Sequence, residues 1–138
     1  MDIPGRCQCG QLQWTTRIPN GSMPDKTICH CKTCKSFGGG GYSVNMVVPR
    51  EQVQMTQGTP KTYTYIGLSG NPVDCYYCPN CTTHAYHHQK VLGDRLVMRP
   101  ALWENKMAQE GPVEREVFAK DRCPFQPVIA RSVDVTDA

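Results

Sequence analysis

Cysteine dominates the chemistry this chain can do, with nine in its sequence. Seven of them fall into three tight motifs: Cys7-x-Cys9-Gly10, Cys29-His30-Cys31-x-x-Cys34 and Cys78-Pro79-Asn80-Cys81. In Cys-x-x-Cys, a tight turn lets two sulfurs converge on one tetrahedral ion while backbone N–H groups face them. Cys-x-Cys can ligate too, its side chains converging from either side of a bent backbone, and it makes a poor disulfide. Cys7, Cys9, Cys78 and Cys81 form a complete four-thiolate set, the closed coordination of a structural zinc. Such an ion would pin the N-terminal strand to the centre of the fold.

The middle motif supplies three thiolates, Cys29, Cys31 and Cys34. A tetrahedral ion held by three protein ligands keeps its fourth position for water or substrate, as a catalytic or exchangeable site does. A closed alternative gives that position to His30, His84, His87 or His88 and leaves two inert zincs. A redox pair at Cys31 and Cys34 is a further reading, less economical beside two other cysteine clusters. Cys75 and Cys123 stand outside the motifs. Free cysteines are most often buried packing residues, and contact with substrate is the alternative for Cys123.

The rest of the chain must position these groups. Its 138 residues fit one domain, 1–138, with a core spanning about 5–128. With 39% hydrophobic and 20% charged residues, it is not a wholly disordered chain. Every stretch of about 18 residues holds charges or prolines, which excludes a membrane helix. The opening MDIPGRCQCG lacks the apolar middle of a secretory signal, so a cytoplasmic protein is expected. That expectation, the odd cysteine count and the clustering all favour metal over disulfides. The formal charge is +3, but seven thiolates set against two zinc dications would cancel it. No dense Lys/Arg run exists either, which argues against a nucleic-acid partner.

The hydrophobic pattern is that of short strands joined by turns, in keeping with 12 glycines and 11 prolines. Leu12, Trp14 and Thr16 alternate with polar neighbours. Further strands are expected over 42–48, 53–55, 63–66, 82–89, 95–98 and 113–118, with one or two helical turns within 102–109. The run Gly38–Gly41 and the stretch 68–74 are expected as loops, and the polar tail beyond Ile129 is expected to fray. The fold class is mainly β.

The order CxC-G, then CHCxxC with a glycine-rich turn, then CxxC, resembles the glutathione-dependent formaldehyde-activating enzyme family, also called the centromere protein V family. Pro49–Gly58, Tyr63–Gly70 and Val117–Pro124 extend the resemblance over most of residues 5–125. It implies an Mss4-like β-tent, with short antiparallel strands meeting around a structural zinc at Cys7, Cys9, Cys78 and Cys81. It also implies a second, catalytic or labile zinc at Cys29, Cys31 and Cys34. The activity implied is that of a carbon-sulfur lyase acting on a glutathione or other thiol adduct, or on a small carbonyl compound. Gly39 and Gly40 would let backbone N–H groups approach an anionic substrate.

Two departures stand out. The family usually has Gly after the second knuckle, where this chain has Thr82, and Phe before it, where this chain has Tyr77. The segment around the knuckle is also rich in acid–base and aromatic groups: Tyr76, Tyr77, His84, Tyr86, His87 and His88. Strict alternation from His84 would place Tyr86 and His88 on its face, with His87 opposite. These three are candidates for proton transfer on a larger carbonyl or phenolic substrate. The rival readings are accordingly a zinc-dependent isomerase, dehydratase or lyase acting on a larger metabolite, and a non-enzymatic zinc-stabilised interaction module. No feature dictates an oligomeric state.

Overall fold

The computed structural model describes residues 1–134, so the last part of the polar tail, 135–138, lies outside the described residues. A three-stranded antiparallel sheet joins β1 (Asp2–Arg6), β2 (Gln13–Arg17) and β5 (Val53–Gln57). The second sheet has eight strands. Its members in chain order are β3 (Lys26–Cys29), β4 (Ser43–Pro49), β6 (Lys61–Ile66), β7 (Pro72–Tyr77), β8 (His84–Gln89), β9 (Arg95–Met98), β10 (Val113–Val117) and β11 (Arg131–Val133). Across the sheet they run β11-β10-β3-β4-β9-β8-β7-β6. All pairings are antiparallel except those of β10, which lies parallel to both β3 and β11. Along β4, Ser43–Asn45 pair with β3 while Met46–Pro49 pair with β9, so the two halves of the sheet are staggered at this strand.

Period-two alternation assigns each face. Ile3 from β1 and Trp14 from β2 point inward, meeting Met46 and Val48 of β4, Tyr86 of β8, and Leu96 and Met98 of β9. Leu12, Ile18, Trp103 and Ala108 complete this core between the two sheets. Burying each large side chain there contributes about 1.5–3 kcal/mol. Gly5 is required by space. It pairs with Trp14 on β2 and bridges to Trp103 on its other side, and a Cβ would run into the Trp14 indole.

Three segments differ from the sequence expectation. Lys32–Gly38 forms a helix, α1, where only cysteines and a flexible glycine run were legible. The Cys31 sulfur caps it by accepting from the Cys34 N–H at 3.3 Å, and Gly39, at φ 67°, ends it in the left-handed conformation that glycine tolerates. β7 begins at Pro72, within the expected loop, because a turn closed by Gly67 N–H on the Asn71 carbonyl sends the chain straight back along β6. The expected fraying tail is instead ordered at Arg131–Val133, which adds a strand beside β10. The expected helical turns appear as α2 (Lys106–Glu110), capped by the Asn105 side chain.

Replacing Gly5 by Ala should cost about 1–3 kcal/mol, the usual range for overpacking a filled core. Urea unfolding checks this, and an unchanged midpoint would mean that Trp14 yields freely.

Candidate metal centres and active-site cavity

The first cysteine cluster is assembled by two turns far apart in sequence. Cys7 and Cys9 leave the end of β1, while Cys78 and Cys81 occupy the turn between β7 and β8. Their four sulfurs lie within 4.8 Å of one another. Tetrahedral Zn–S bonds of about 2.3 Å require S···S separations of about 3.8 Å. The sulfurs of Cys7 and Cys9 are 3.6 Å apart and those of Cys9 and Cys78 are 3.8 Å apart. Backbone N–H groups point at the sulfurs: Leu12 at Cys7 (3.3 Å), Gln11 at Cys9 (3.5 Å) and Cys81 at Cys78 (3.5 Å). The Thr83 hydroxyl lies 3.2 Å from the Cys81 sulfur and lowers that thiol to about 5, whereas burial raises Cys78 to about 11. Four ionised sulfurs at this spacing need a cation between them, and the donor set fits zinc. Thr82, which follows this knuckle, sits at φ 68°, in the left-handed region.

The second cluster is built where β3 enters α1. Cys29 ends the strand, Cys31 is the helix cap and Cys34 lies in the first turn, repeating the N–H-to-sulfur contact of the first knuckle. Their sulfurs also lie within 4.8 Å of one another, and among the described residues no His, Asp or Glu atom joins them. Hydrogen bonds from Cys29 and Cys31 lower Cys34 to about 2, and the same sharing raises Cys29. One thiolate therefore forms readily while three together need a cation.

His30, the nearest candidate for a fourth ligand by sequence, is committed elsewhere. Fully buried, it meets the buried Glu116 through Nε2, 2.7 Å from Oε1. Glu116 also accepts from the Ile129 and Ala130 N–H groups at 2.7 and 2.8 Å, and from Arg122 Nε at 3.4 Å. Burial alone would raise its carboxyl pKa, but the bonds from Ala130, His30 and Ile129 outweigh it and hold the group at about 2.

The three-sulfur cluster stands in the wall of a cavity of about 210 Å³. The cavity occupies the face of the eight-stranded sheet turned away from the core. Alternate residues of the strands form its floor: Arg115 and Val117, Thr27 and Cys29, Asn45 and Val47, Val97 and Arg99, His87 and Gln89, then Cys75 and Tyr65. Phe37 from α1, with Leu92 and Phe118, supplies apolar walls.

β8 departs from strict alternation. Tyr77 pairs with His84 and Tyr76 with Tyr86, so Ala85 is an extra, bulged residue. The bulge moves His84 onto the face of His87, with the two rings 5.6 Å apart, and both line the cavity. Tyr86 falls on the core face, its ring 4.7 Å from that of Tyr76. His88 turns away and its Nε2 meets the Gly93 carbonyl at 2.7 Å. The shared face expected for His84, Tyr86 and His88 is therefore not formed. Gly39 and Gly40 lie off the cavity wall, and the Cys123 sulfur packs near Gly41.

Burial and the nearby Arg99 charge lower His84 to about 4. Burial, His84 and Arg99 lower His87 to about 3. Both rings are neutral at neutral pH. Burial raises the Cys75 thiol to about 11, and also raises the Tyr65 hydroxyl. Three polar atoms of cavity residues are buried with no hydrogen-bond partner among the described residues: Asn45 Oδ1, His84 Nε2 and Arg99 Nε. Sequence reasoning missed Asn45 and Arg99 because nothing near them in the chain marks them. Their signal is a place beside core-facing methionines, Asn45 before Met46 on β4 and Arg99 after Met98 at the end of β9.

Two cysteine clusters, one closed by four sulfurs and one open onto a cavity, stand on a mainly β scaffold, and each offers the donor set of a zinc site. The chain belongs to the glutathione-dependent formaldehyde-activating enzyme family, whose sequence model matches residues 2–121. With that membership, the Mss4-like β-tent expected from the sequence is the fold observed. The crystal structure of a Rhodobacter sphaeroides protein is similar, with a TM-score of 0.62 and 18% identity over 80% of this chain and 96% of that one. That likeness concerns the fold alone. No curated protein sequence matches the chain. Among the described residues no helix is long and apolar enough to cross a membrane.

Thr82→Gly should stabilise the protein by about 1 kcal/mol, since a β-branched residue in the left-handed region is strained by about 1–2 kcal/mol, in part offset by glycine's entropy. Thermal or urea unfolding of the zinc-loaded protein tests this, and a loss of stability would contradict it. Glu116, lowered from 4.5 to about 2, contributes stability that is fully present above about 4.5 and lost as pH falls towards 2. The stability difference between wild type and Glu116→Gln should therefore shrink across that window. Glu116→Ala should cost about 3–5 kcal/mol at neutral pH.

Proposed function

We propose that the protein makes and breaks the carbon–sulfur bond between a thiol and a small carbonyl compound, with two zinc ions per chain. The family's name suggests glutathione as the thiol. The observation that most supports this reading is the three-sulfur cluster, which has no fourth side-chain ligand among the described residues and stands in a cavity wall. The Cys7, Cys9, Cys78 and Cys81 centre is structural. Zinc held by Cys29, Cys31 and Cys34 would supply Lewis-acid polarisation of a carbonyl oxygen or a lowered thiol pKa.

In the joining direction, the thiol sulfur bonds to the carbonyl carbon and the C=O π pair moves onto oxygen. The thiol proton ends on that oxygen, and the lyase direction reverses each change. His84, kept neutral by burial and Arg99, carries this proton between sulfur and oxygen. His87 stands beside it, and its Nε2 lies 3.1 Å from Gln89 Nε2, which orients the ring. Phe37, whose ring stacks on His84 at 5.6 Å, helps to keep water from the proton path. Tyr86, His88, Gly39, Gly40 and Cys123 carry no step in this scheme. The His84–His87 pair would also serve isomerisation or elimination on a larger carbonyl metabolite, which is the second reading.

Protein purified without added metal should carry two zincs, and Cys31→Ser should carry one while keeping its fold and losing turnover of thiol–aldehyde adducts. His84→Gln should keep both zincs and lose roughly 10²–10⁴ in turnover. Metal analysis and NMR of adduct exchange test this. A single zinc from the outset, or unfolding of Cys31→Ser, would refute the division into structural and catalytic centres. Retained zinc with no adduct exchange by the wild type would favour the second reading.

A further inference from the structure

The cavity floor contains a polar row of which the proton chemistry above uses only the charge of Arg99. Arg115 pairs with Thr27 across β10 and β3, and Thr27 pairs with Asn45 across β3 and β4. The β4–β9 ladder ends at the Met46–Met98 pair, and the next residue on each side, Asn45 and Arg99, lines the cavity. Same-face residues on neighbouring strands are about 5 Å apart, close enough for both to meet one small group.

Two atoms of this row are buried without a hydrogen-bond partner among the described residues. Asn45 is 6% exposed, its amide nitrogen donates to Ser43 Oγ at 2.9 Å, and its Oδ1 accepts nothing. Arg99 Nε is buried and donates to nothing among the described residues. Leaving such groups unmet costs about 1–3 kcal/mol each, more for a charged one. No Asp or Glu stands among the described residues lining the cavity, so no carboxylate of the wall neutralises Arg99 there. The remaining surface is largely apolar: Val47, Val97, Phe37, Leu92, Val117 and Phe118.

We propose that the carbonyl substrate is a carbonyl acid, a 2-oxo or aldehyde acid with an apolar body, and that Arg99 selects it by holding its carboxylate beside Asn45. This rests on the thiol–carbonyl reading and supplies its substrate class. When a thiol adds to a carbonyl next to a carboxylate, the S–C bond forms and the π pair moves to oxygen. The thiol proton follows, leaving a hydroxyl beside the carboxylate. Asn45 Oδ1 cannot bond the free carbonyl oxygen, since both are acceptors, but it accepts from the new hydroxyl. The row therefore favours the adduct over the free carbonyl acid, an interaction that is stronger late in the addition than at its start.

The test is calorimetric titration of the zinc-loaded full chain with mandelate, a 2-hydroxy acid with an aromatic body, and with mandelamide, its uncharged counterpart. Wild type should bind mandelate at least about tenfold more tightly than the amide, as expected for a charge-assisted hydrogen bond. It should also prefer mandelate to the 2-oxo acid benzoylformate. Arg99→Gln, with zinc content unchanged, should bring acid and amide to within about threefold of each other, and Arg99→Lys should restore part of the gap. Equal wild-type affinity for acid and amide would overturn the proposal without recourse to any variant. So would an advantage that survives Arg99→Gln, since the metal or Arg115 would then be the reader. Adduct exchange measured beside binding separates the two readings. An Arg99-dependent preference in a protein without adduct exchange upholds the recognition and refutes the reaction. Exchange with neutral aldehydes as fast as with carbonyl acids does the reverse.

Discussion

Four sulfurs from two turns 69 residues apart along the chain must meet at one point, and much else in the fold depends on that meeting. The turn after β1 brings Cys7 and Cys9, and the turn between β7 and β8 brings Cys78 and Cys81. A metal ion held by all four would close a loop of this length and remove about 4 kcal/mol of entropy from the unfolded chain. Its place is at the edge of the main core, where Cys7 and Cys78 are buried among Leu12, Trp14 and Ala85. The three-stranded sheet is thereby tied to the eight-stranded one, and the space between them is filled with apolar side chains.

That tie leaves the other face of the eight-stranded sheet free for chemistry. Because side chains alternate along each strand, every residue that packs the core has neighbours pointing into the cavity. Met46 and Met98 hold the core while Val47, Val97, Asn45 and Arg99 line the opposite side. One local irregularity matters most. The bulge at Ala85 turns His84 towards His87 and sends Tyr86 into the core, so a single extra residue decides which acid–base groups share the cavity.

The three-sulfur cluster has its own support. His30 lies between two of its cysteines in sequence but is held by Glu116, which also gathers the backbone of Ile129 and Ala130 and the Arg122 side chain. A buried carboxylate with this many donors stays ionised and well ordered. It fixes the backbone between Cys29 and Cys31 and binds the C-terminal segment to β10. The cavity-facing side of this turn stays open because its one histidine is engaged on the opposite side.

The ligand sets were legible in the sequence because metal chelation by closely spaced cysteines is local: Cys-x-x-Cys brings two sulfurs together wherever it folds. The mainly β class followed from short alternating runs such as Leu12, Trp14 and Thr16. Other features depended on distant partners. β11 pairs with β10, and Glu116 holds the segment leading into it through the Ile129 and Ala130 N–H groups. The face of His84 is set by a bulge that only the pairing of β7 with β8 reveals. Nothing in the chain marks Asn45 and Arg99, and only the folded sheet brings both to the cavity lining. Which residues can bind metal is a local matter, since their spacing suffices. Which polar groups surround the three-sulfur cluster depends on the fold, because strand register and burial are set by contacts between segments far apart.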